Sequence, residues 1–329
     1  MATYAPSVHN TQPWRFVSTP GGLQLEMDEF RQLTVLDPQR RLLLTSCGAA
    51  CHHLQVAARG LGLDVETVLL PADAPDVVAR FELTRGQPAQ AADAEAAVAI
   101  LHRHTHRGRF TDTSVPDGVL GALRTAVEGQ GAMLRVVHPE ELVEVQVLAS
   151  QADRSLRGRA EYGDELARWV WHTEPHDDGP SDGPSDGPGD TRADGMPPDA
   201  VAPGTGRAEE VPGRDFGTGV APTRPGPDDL PEAEHPTIVV LTTAGDSEAD
   251  WVRAGLALSA LLLTATNHEL LAQPIGQVTD VPRTRWALQA VLGAVGAPQM
   301  VLRLGFGVGS PTSPRRPVSD VWRAEPAVG

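Results

Sequence analysis

Two stretches of this chain decide its architecture: "CGAACHHLQVAARGLGL" (residues 47–63) and "AGLALSALLLTATNHEL" (residues 254–270). Laid side by side without a gap, Gly48 meets Gly255, Ala50 meets Ala257, Leu54 meets Leu261, Ala58 meets Ala265 and Leu63 meets Leu270. Each has apolar or small residues at helical spacing, and each leads into an extended segment. Any two Ala/Leu helices in a chain of this composition can look alike. The gapless register points instead to two copies of one α+β unit, whose small-residue helices pack closely at a shared core.

The rest of the chain arranges itself around these helices. The first runs from about Arg40 and stops near Gly62, with strands expected over 64–71 and 78–86. Helices follow over 91–103 and 118–131, a strand over 132–138, and one long helix over 140–171. A buried strand is expected over 237–244, the second small-residue helix over 250–271, a helix over about 282–294 and a strand over 299–307. The two halves are 1–96 and 97–329, and the second carries a Pro/Gly-rich insertion over 173–234. Its core, "DGPSDGPSDGPGDTRADG" (178–195), cannot bury enough apolar area to offset its ordering entropy. The insertion is therefore expected to be disordered, or laid over the surface as a lid.

Composition narrows the function classes. The 329 residues carry a formal net charge of −16, which disfavours nonspecific binding to nucleic acid or anionic membranes. All 27 basic residues are arginine, so every cation is a planar guanidinium suited to phosphate or carboxylate. Hydrophobic residues make up 40% but aromatics only 4%, so the core must rest on Leu, Val and Ala. No apolar run approaches the roughly 20 residues of a membrane span. The start, "MATYAPSVHN", lacks the regions of a signal peptide. Cys47 and Cys51 lie one helical turn apart, where a disulfide would be strained. A reduced, cytoplasmic protein is the expectation.

Four short segments could carry chemistry: "APSVHNTQPWRF" (5–16), "HRHTHRGRF" (102–110), "QPIG" (273–276) and "SPRRP" (313–317). The first is a polar turn, and the second is the densest Arg/His cluster. Bland readings stand beside each: a turn that caps a strand edge, a helix end facing its dipole, a solvated Pro/Arg tail. Trp14 reads as packing. His102, His104 and His106 alternate as metal ligands can, but the flanking arginines repel a cation. Cys47, Cys51, His52 and His53 share a helix region that reads as core.

Together these segments resemble the nitroreductase-like FMN flavoprotein superfamily, and most closely its single-chain Acg-like branch. The resemblance covers nearly all of the chain outside 173–234. It implies an α+β fold whose two fused halves form a single-chain pseudo-dimer, a monomer with an internal pseudo-twofold axis. The cofactor implied is FMN, with NADPH or NADH as reductant and no nucleic-acid or membrane partner. Carried over residue by residue, the turn supplies Pro6, Ser7, Val8, His9 and Asn10. The Arg-x-Thr-x-Arg segment supplies Arg103, His104, Thr105 and Arg107, and the basic tail supplies Arg315 and Arg316.

Gln273, Pro274 and Ile275 form the loop whose backbone faces flavin N5, with Pro274 fixing the turn and Gly276 allowing close approach. Arg103, Arg107, Arg315 and Arg316 are the phosphate candidates. Arg107 is the cation expected beside the anionic reduced flavin. Each motif occurs once, so one complete site can be assembled across the halves. The flavin carries the reaction, hydride passing from NAD(P)H through N5 to a nitro, quinone or enone acceptor, and no side-chain acid or base is implied. Two departures stand out. Only four residues precede the turn, where the family has a helix, and Glu269 stands where the first copy has Gly62. A lid over the cofactor implies the alternative of a flavin-binding or sequestering protein with little turnover. A remoter alternative is a structural protein without flavin.

Overall fold

The computed structural model describes residues 1–170, 193–197, 234–293, 296–307 and 312–324. Most of the expected insertion over 173–234 lies outside the described residues. In chain order the elements are β1 (Trp14–Thr19), β2 (Gly22–Met27), α1 (Arg41–Gly60), β3 (Leu63–Leu69), β4 (Val77–Arg85) and α2 (Ala91–His102). Next come α3 (Asp117–Glu128), β5 (Met133–Val136), α4 (Leu142–Arg157), α5 (Ala160–Ala167) and β6 (Thr237–Thr243). The rest are α6 (Glu248–Asn267), β7 (Leu271–Pro274), α7 (Gln277–Asp280), α8 (Pro282–Val291), β8 (Ala297–Gly305), α9 (Val318–Val321) and β9 (Trp322–Ala324).

Helices α1 and α6 cross at their glycines. A Cβ on Gly48 would lie 2.2 Å from Val252 O, and one on Gly255 would lie 2.0 Å from Thr45 O. Only hydrogen at both positions permits backbone contact this close. Thr45 and Val252 stand 207 residues apart, as do Gly48 and Gly255, so the contact is reciprocal. Both helices also end on a left-handed residue, Gly62 (φ 72°) and Glu269 (φ 59°), each followed by a strand. Their starts are capped differently. Asp37 accepts the Leu43 amide at 2.9 Å, whereas Ser247 and Asp250 form a reciprocal box.

Each helix covers its own sheet. The first sheet has the order β3-β4-β2-β1-β9, and the second β5-β6-β8-β7. Trp14, Phe16, Leu25 and Phe81 pack under α1, while Leu134, Val239, Leu241 and Leu302 pack under α6. Strand β9 comes from the C-terminal end of the chain yet pairs in parallel with β1 through Phe16 and Trp322. The tail is thereby drawn across to the N-terminal sheet. Helix α2 packs against both α1 and α6, which places Arg103, just past its end, beside their crossing.

Two sequence expectations need correction. The single helix over 140–171 is two, because the chain becomes extended at Arg159 (φ −105°, ψ 116°) just after Gly158. The "QPIG" segment is not a turn: Gln273 and Pro274 close strand β7, and Gly276 has an ordinary φ of −64° at the start of α7. Trp14 is fully buried as packing. Cys47 and Cys51 are buried free thiols, pushed well up from the ordinary thiol range by burial.

Candidate functional site

The polar turn before β1 is strained and heavily tied down. His9, Asn10 and Gln12 all have left-handed φ values, of 47°, 55° and 48°. Each such non-glycine residue costs on the order of 1–3 kcal/mol, so surrounding bonds must hold the turn. Ser7 Oγ accepts the Gln12 amide at 2.9 Å, and Ser46 Oγ of α1 accepts the Val8 amide at 3.2 Å. The basic tail supplies further ties. Asn10 Oδ1 accepts from Arg315 Nη1 at 3.1 Å, and Asn10 Nδ2 donates to Pro314 O at 3.0 Å. Gln12 Oε1 accepts the Arg316 amide at 2.9 Å.

The turn, the end of α2 and the tail enclose a cavity of 360 Å³. Pro6, Ser7, Asn10, Arg103, His104, Thr105, Arg107 and Arg315 line it together. Arg103 and Arg315 converge, each donating an Nη2 proton to Tyr4 O at 3.3 Å. Arg103 Nε and Nη1, and Arg315 Nε, are buried without a hydrogen-bond acceptor. Among the described residues no carboxylate pairs with either guanidinium. Burial lowers Arg103 to about 9, with Arg315 adding repulsion, and lowers Arg107 and Arg315 to about 10. A buried and a half-buried guanidinium with unsatisfied donors are suited to an anion, since each unmade charged bond costs about 1–3 kcal/mol.

The other sequence candidates are placed nearby but do not line the cavity. Val8 and His9 belong to the same turn. Arg316 turns away, donating to Gln12 O at 3.3 Å and Asp320 O at 2.9 Å. Thr105 forms a parallel bridge with Ala272, and the His106 amide donates to Ala272 O at 2.9 Å. This sets the Arg-x-Thr-x-Arg segment against the strand that carries Gln273 and Pro274. Gln273 Oε1 accepts from Arg303 at 2.9 Å, and Arg303 is itself paired with the buried Glu234 carboxylate. Ile275 is fully buried in a separate core cluster. Glu269 is exposed and not among the lining residues.

Sequence reasoning missed Tyr4, Leu101 and Thr312, and named the segment of Ser313 and Pro314 without singling these two out; the five complete the lining. Their contributions include backbone carbonyls and apolar faces, which leave no motif.

One short piece of the insertion is described, Ala193–Pro197, and it is clasped onto this site. Asn10 Nδ2 donates to Gly195 O at 2.9 Å, and Gln12 Nε2 to Ala193 O at 2.8 Å. Arg31 pairs with Asp194 at 2.9 Å, and Arg107 Nη2 lies 3.7 Å from Met196 Sδ. Met196, 1% exposed, packs among Leu33, Leu36, Tyr162 and Val170.

With this geometry in place, comparison with known proteins identifies the lineage. The chain is 34% identical over 334 residues to a Mycobacterium tuberculosis protein named "Putative NAD(P)H nitroreductase Rv3131", covering 99% of this chain and 90% of that one. The chain belongs to the nitroreductase family, in the branch that includes Acg. The M. tuberculosis protein named "Putative NAD(P)H nitroreductase acg" is 29% identical, covering 98% of this nitroreductase-family chain and 93% of its own. No protein-family model matches the sequence. Among solved structures, the FMN-dependent nitroreductase NfnB from Mycobacterium smegmatis, in complex with NADPH, aligns with a TM-score of 0.40 and 16% identity. That alignment covers 70% of this chain and 98% of NfnB. An FMN-bound nitroreductase from Desulfitobacterium hafniense aligns with a TM-score of 0.39 and 14% identity, over 69% of this chain and 95% of that one.

Proposed function

We propose that this protein binds FMN in the arginine-lined cavity and acts as an NAD(P)H-dependent oxidoreductase of the nitroreductase family. The carrying observation is the Arg103–Arg315 pair, one guanidinium buried and the other half-buried, with unsatisfied donors and no carboxylate between them. A phosphate monoester, with about two negative charges and several acceptor oxygens, matches that deficit in both charge and hydrogen bonding. Ser7, Asn10 and Thr105 would hold polar parts of the same ligand, and Arg107 would supply a further cation. The Thr105–Ala272 bridge sets the strand that carries Gln273 and Pro274 beside the Arg-x-Thr-x-Arg segment. Bound FMN would supply hydride chemistry between NAD(P)H and a nitro, quinone or enone acceptor.

The α1–α6 crossing, reciprocal at Gly48 and Gly255, supports reading the chain as two fused halves, 1–96 and 97–329. The chain would then be a monomer, with its single site drawing the turn from one half and the arginines from the other.

A second reading is favoured by the clasp of Ala193–Pro197 on Asn10, Gln12, Arg31 and Arg107. A segment fastened to the residues that would hold the cofactor can exclude a reductant, leaving a protein that stores flavin with little turnover. One titration separates the readings. The full chain is saturated with FMN, and flavin absorbance is followed during anaerobic addition of NADPH or NADH. Bleaching supports the reductase, and a flavin that stays oxidised supports the storage protein. A chain that refuses FMN altogether overturns both.

A further inference from the structure

Two of the three left-handed residues in the turn before β1, Asn10 (φ 55°) and Gln12 (φ 48°), are tied to one five-residue piece of the insertion. Asn10 and Gly195 exchange two bonds: Asn10 Nδ2 donates to Gly195 O at 2.9 Å, and the Gly195 amide donates to Asn10 O at 3.3 Å. Gly195 itself has φ 73°, which glycine adopts without a Cβ penalty. Gln12 Nε2 donates to Ala193 O at 2.8 Å. Between them, Arg31 Nη1 donates both to Thr11 O at 2.8 Å and to Asp194 Oδ2 at 2.9 Å. Residues 10, 11 and 12 are therefore all fastened to residues 193–195.

The same piece reaches the Arg-x-Thr-x-Arg segment, where Arg107 Nη2 donates to Met196 Sδ at 3.7 Å. Asn10 and Arg107 both line the cavity, and Asn10 Oδ1 also accepts from Arg315 Nη1 at 3.1 Å. None of residues 193–197 lines the cavity; their bonds go to residues that do. What pins the piece is Met196, the first large apolar side chain after Trp171 in a polar, Gly/Pro-rich run. Its side chain is buried among Leu33, Leu36, Tyr162 and Val170. Its amide donates to Trp169 O at 2.7 Å, and it forms a parallel bridge with Val170. Burial of this one side chain offsets part of the ordering entropy and fixes which residues meet the turn.

Resting on the FMN site proposed above, we propose that Ala193–Pro197 is a strap that preorganises the cavity, with Gly195 and Met196 as positioning residues. The strap joins Asn10 on the turn to Arg107 on the Arg-x-Thr-x-Arg segment. It holds the left-handed turn in the conformation that keeps Asn10 in the cavity wall and against Arg315. Released from the strap, the turn relaxes toward ordinary φ values, and only a fraction of molecules stays competent to bind. The loss then falls on association, because the ligand finds fewer competent molecules.

The test uses the full chain and three variants. Met196→Ser removes the buried anchor, Met196→Leu keeps it apolar, and Asp194→Asn breaks the partly exposed pair with Arg31. FMN affinity, followed by flavin fluorescence, should fall about tenfold in Met196→Ser, about threefold in Asp194→Asn and less in Met196→Leu. Stopped-flow mixing should place most of the loss in the association rate. A segment that merely covers the cavity gives the opposite result, since its release speeds both entry and escape of FMN. Faster association in Met196→Ser, or affinity unchanged in both Met196→Ser and Asp194→Asn, overturns the proposal. Without any ligand, amide hydrogen exchange at Asn10, Thr11 and Gln12 should speed by about tenfold in Met196→Ser. Unchanged exchange there overturns the proposal as well. If the wild-type chain refuses FMN, the function proposed above falls, while exchange at the turn still decides whether the strap holds it. Should Met196→Ser fail to fold, Asp194→Asn carries both measurements.

Discussion

Two sets of buried arginines divide this molecule. Arg41 donates to Gln299 O at 2.9 Å, Thr279 O at 2.9 Å and Asp280 at 2.8 Å. Arg285 grips Asp246 with both terminal nitrogens and Pro298 O with Nε, and Arg303 is paired with Glu234. Arg103, buried, and Arg315, half-buried and held also by Asn10 Oδ1 and two backbone carbonyls, share Tyr4 O and face no carboxylate. Each member of the first set is paired with a carboxylate of the chain, and in that sense closed, so its charges serve the fold. The second is open in the sense that it has no carboxylate of the chain to meet, and under the proposed function its charges serve binding at a standing cost in stability.

The comparison breaks if removing a closed arginine proves harmless. Arg41→Ala removes a guanidinium from the buried Asp280 carboxylate and should destabilise the chain by about 3–5 kcal/mol in denaturant unfolding. A loss below about 1 kcal/mol would mean that the closed set is not what holds these elements together.

Asp37, which caps α1 beside Arg41, sharpens the comparison through pH. Burial raises its pKa to about 6, against the lowering effects of the Leu43 and Leu42 amides and of Arg41. The folded state thus binds this proton more tightly than the unfolded chain, whose carboxyl titrates near 4. The associated stability is fully present below about pH 4 and is lost as pH rises toward 6, by up to about 3 kcal/mol. Asp37→Asn should flatten that part of the stability–pH curve while still accepting the Leu43 amide.

Removing an open arginine should have the opposite signature. Arg103→Met should leave stability of the ligand-free chain unchanged or higher, while weakening FMN by about 1.5–3 kcal/mol, or roughly 10- to 100-fold. A fall in stability with FMN affinity intact would place Arg103 among the closed set. The smallest effect is expected at Asn10, which joins Arg315 to the clasped Gly195. Asn10→Ala should weaken FMN by only about 1 kcal/mol and shift its absorption spectrum.

Much of the fold was readable along the chain, because it rests on local periodicity. The two small-residue helices, the strands after them and the apolar run of β6 all carry their patterns within a few residues. The hairpin of β1 and β2 went unread, although Trp14 and Phe16 alternate inward ahead of a Pro-Gly-Gly turn. Strand β9, three residues long, was invisible because its only reason to be extended is its pairing with β1. The break between α4 and α5 was missed for a related reason: Gly158 marks a stop, but the helical pattern continues beyond it.

For the candidate site the division runs between side chains and their surroundings. The motifs named Ser7, Asn10, Arg103, Thr105, Arg107 and Arg315 because those residue types are chosen for charge and hydrogen bonding. Sequence alone also determined that any anion site here must be built from guanidinium, since the chain has no lysine. Only the tertiary structure decided which arginines stay open. Arg303 and Arg316 are the same residue type as Arg103, yet one meets Glu234 and the other turns toward Gln12 and Asp320. Whether a buried cation is satisfied depends on groups that the fold brings from hundreds of residues away. That accounting closes only in three dimensions.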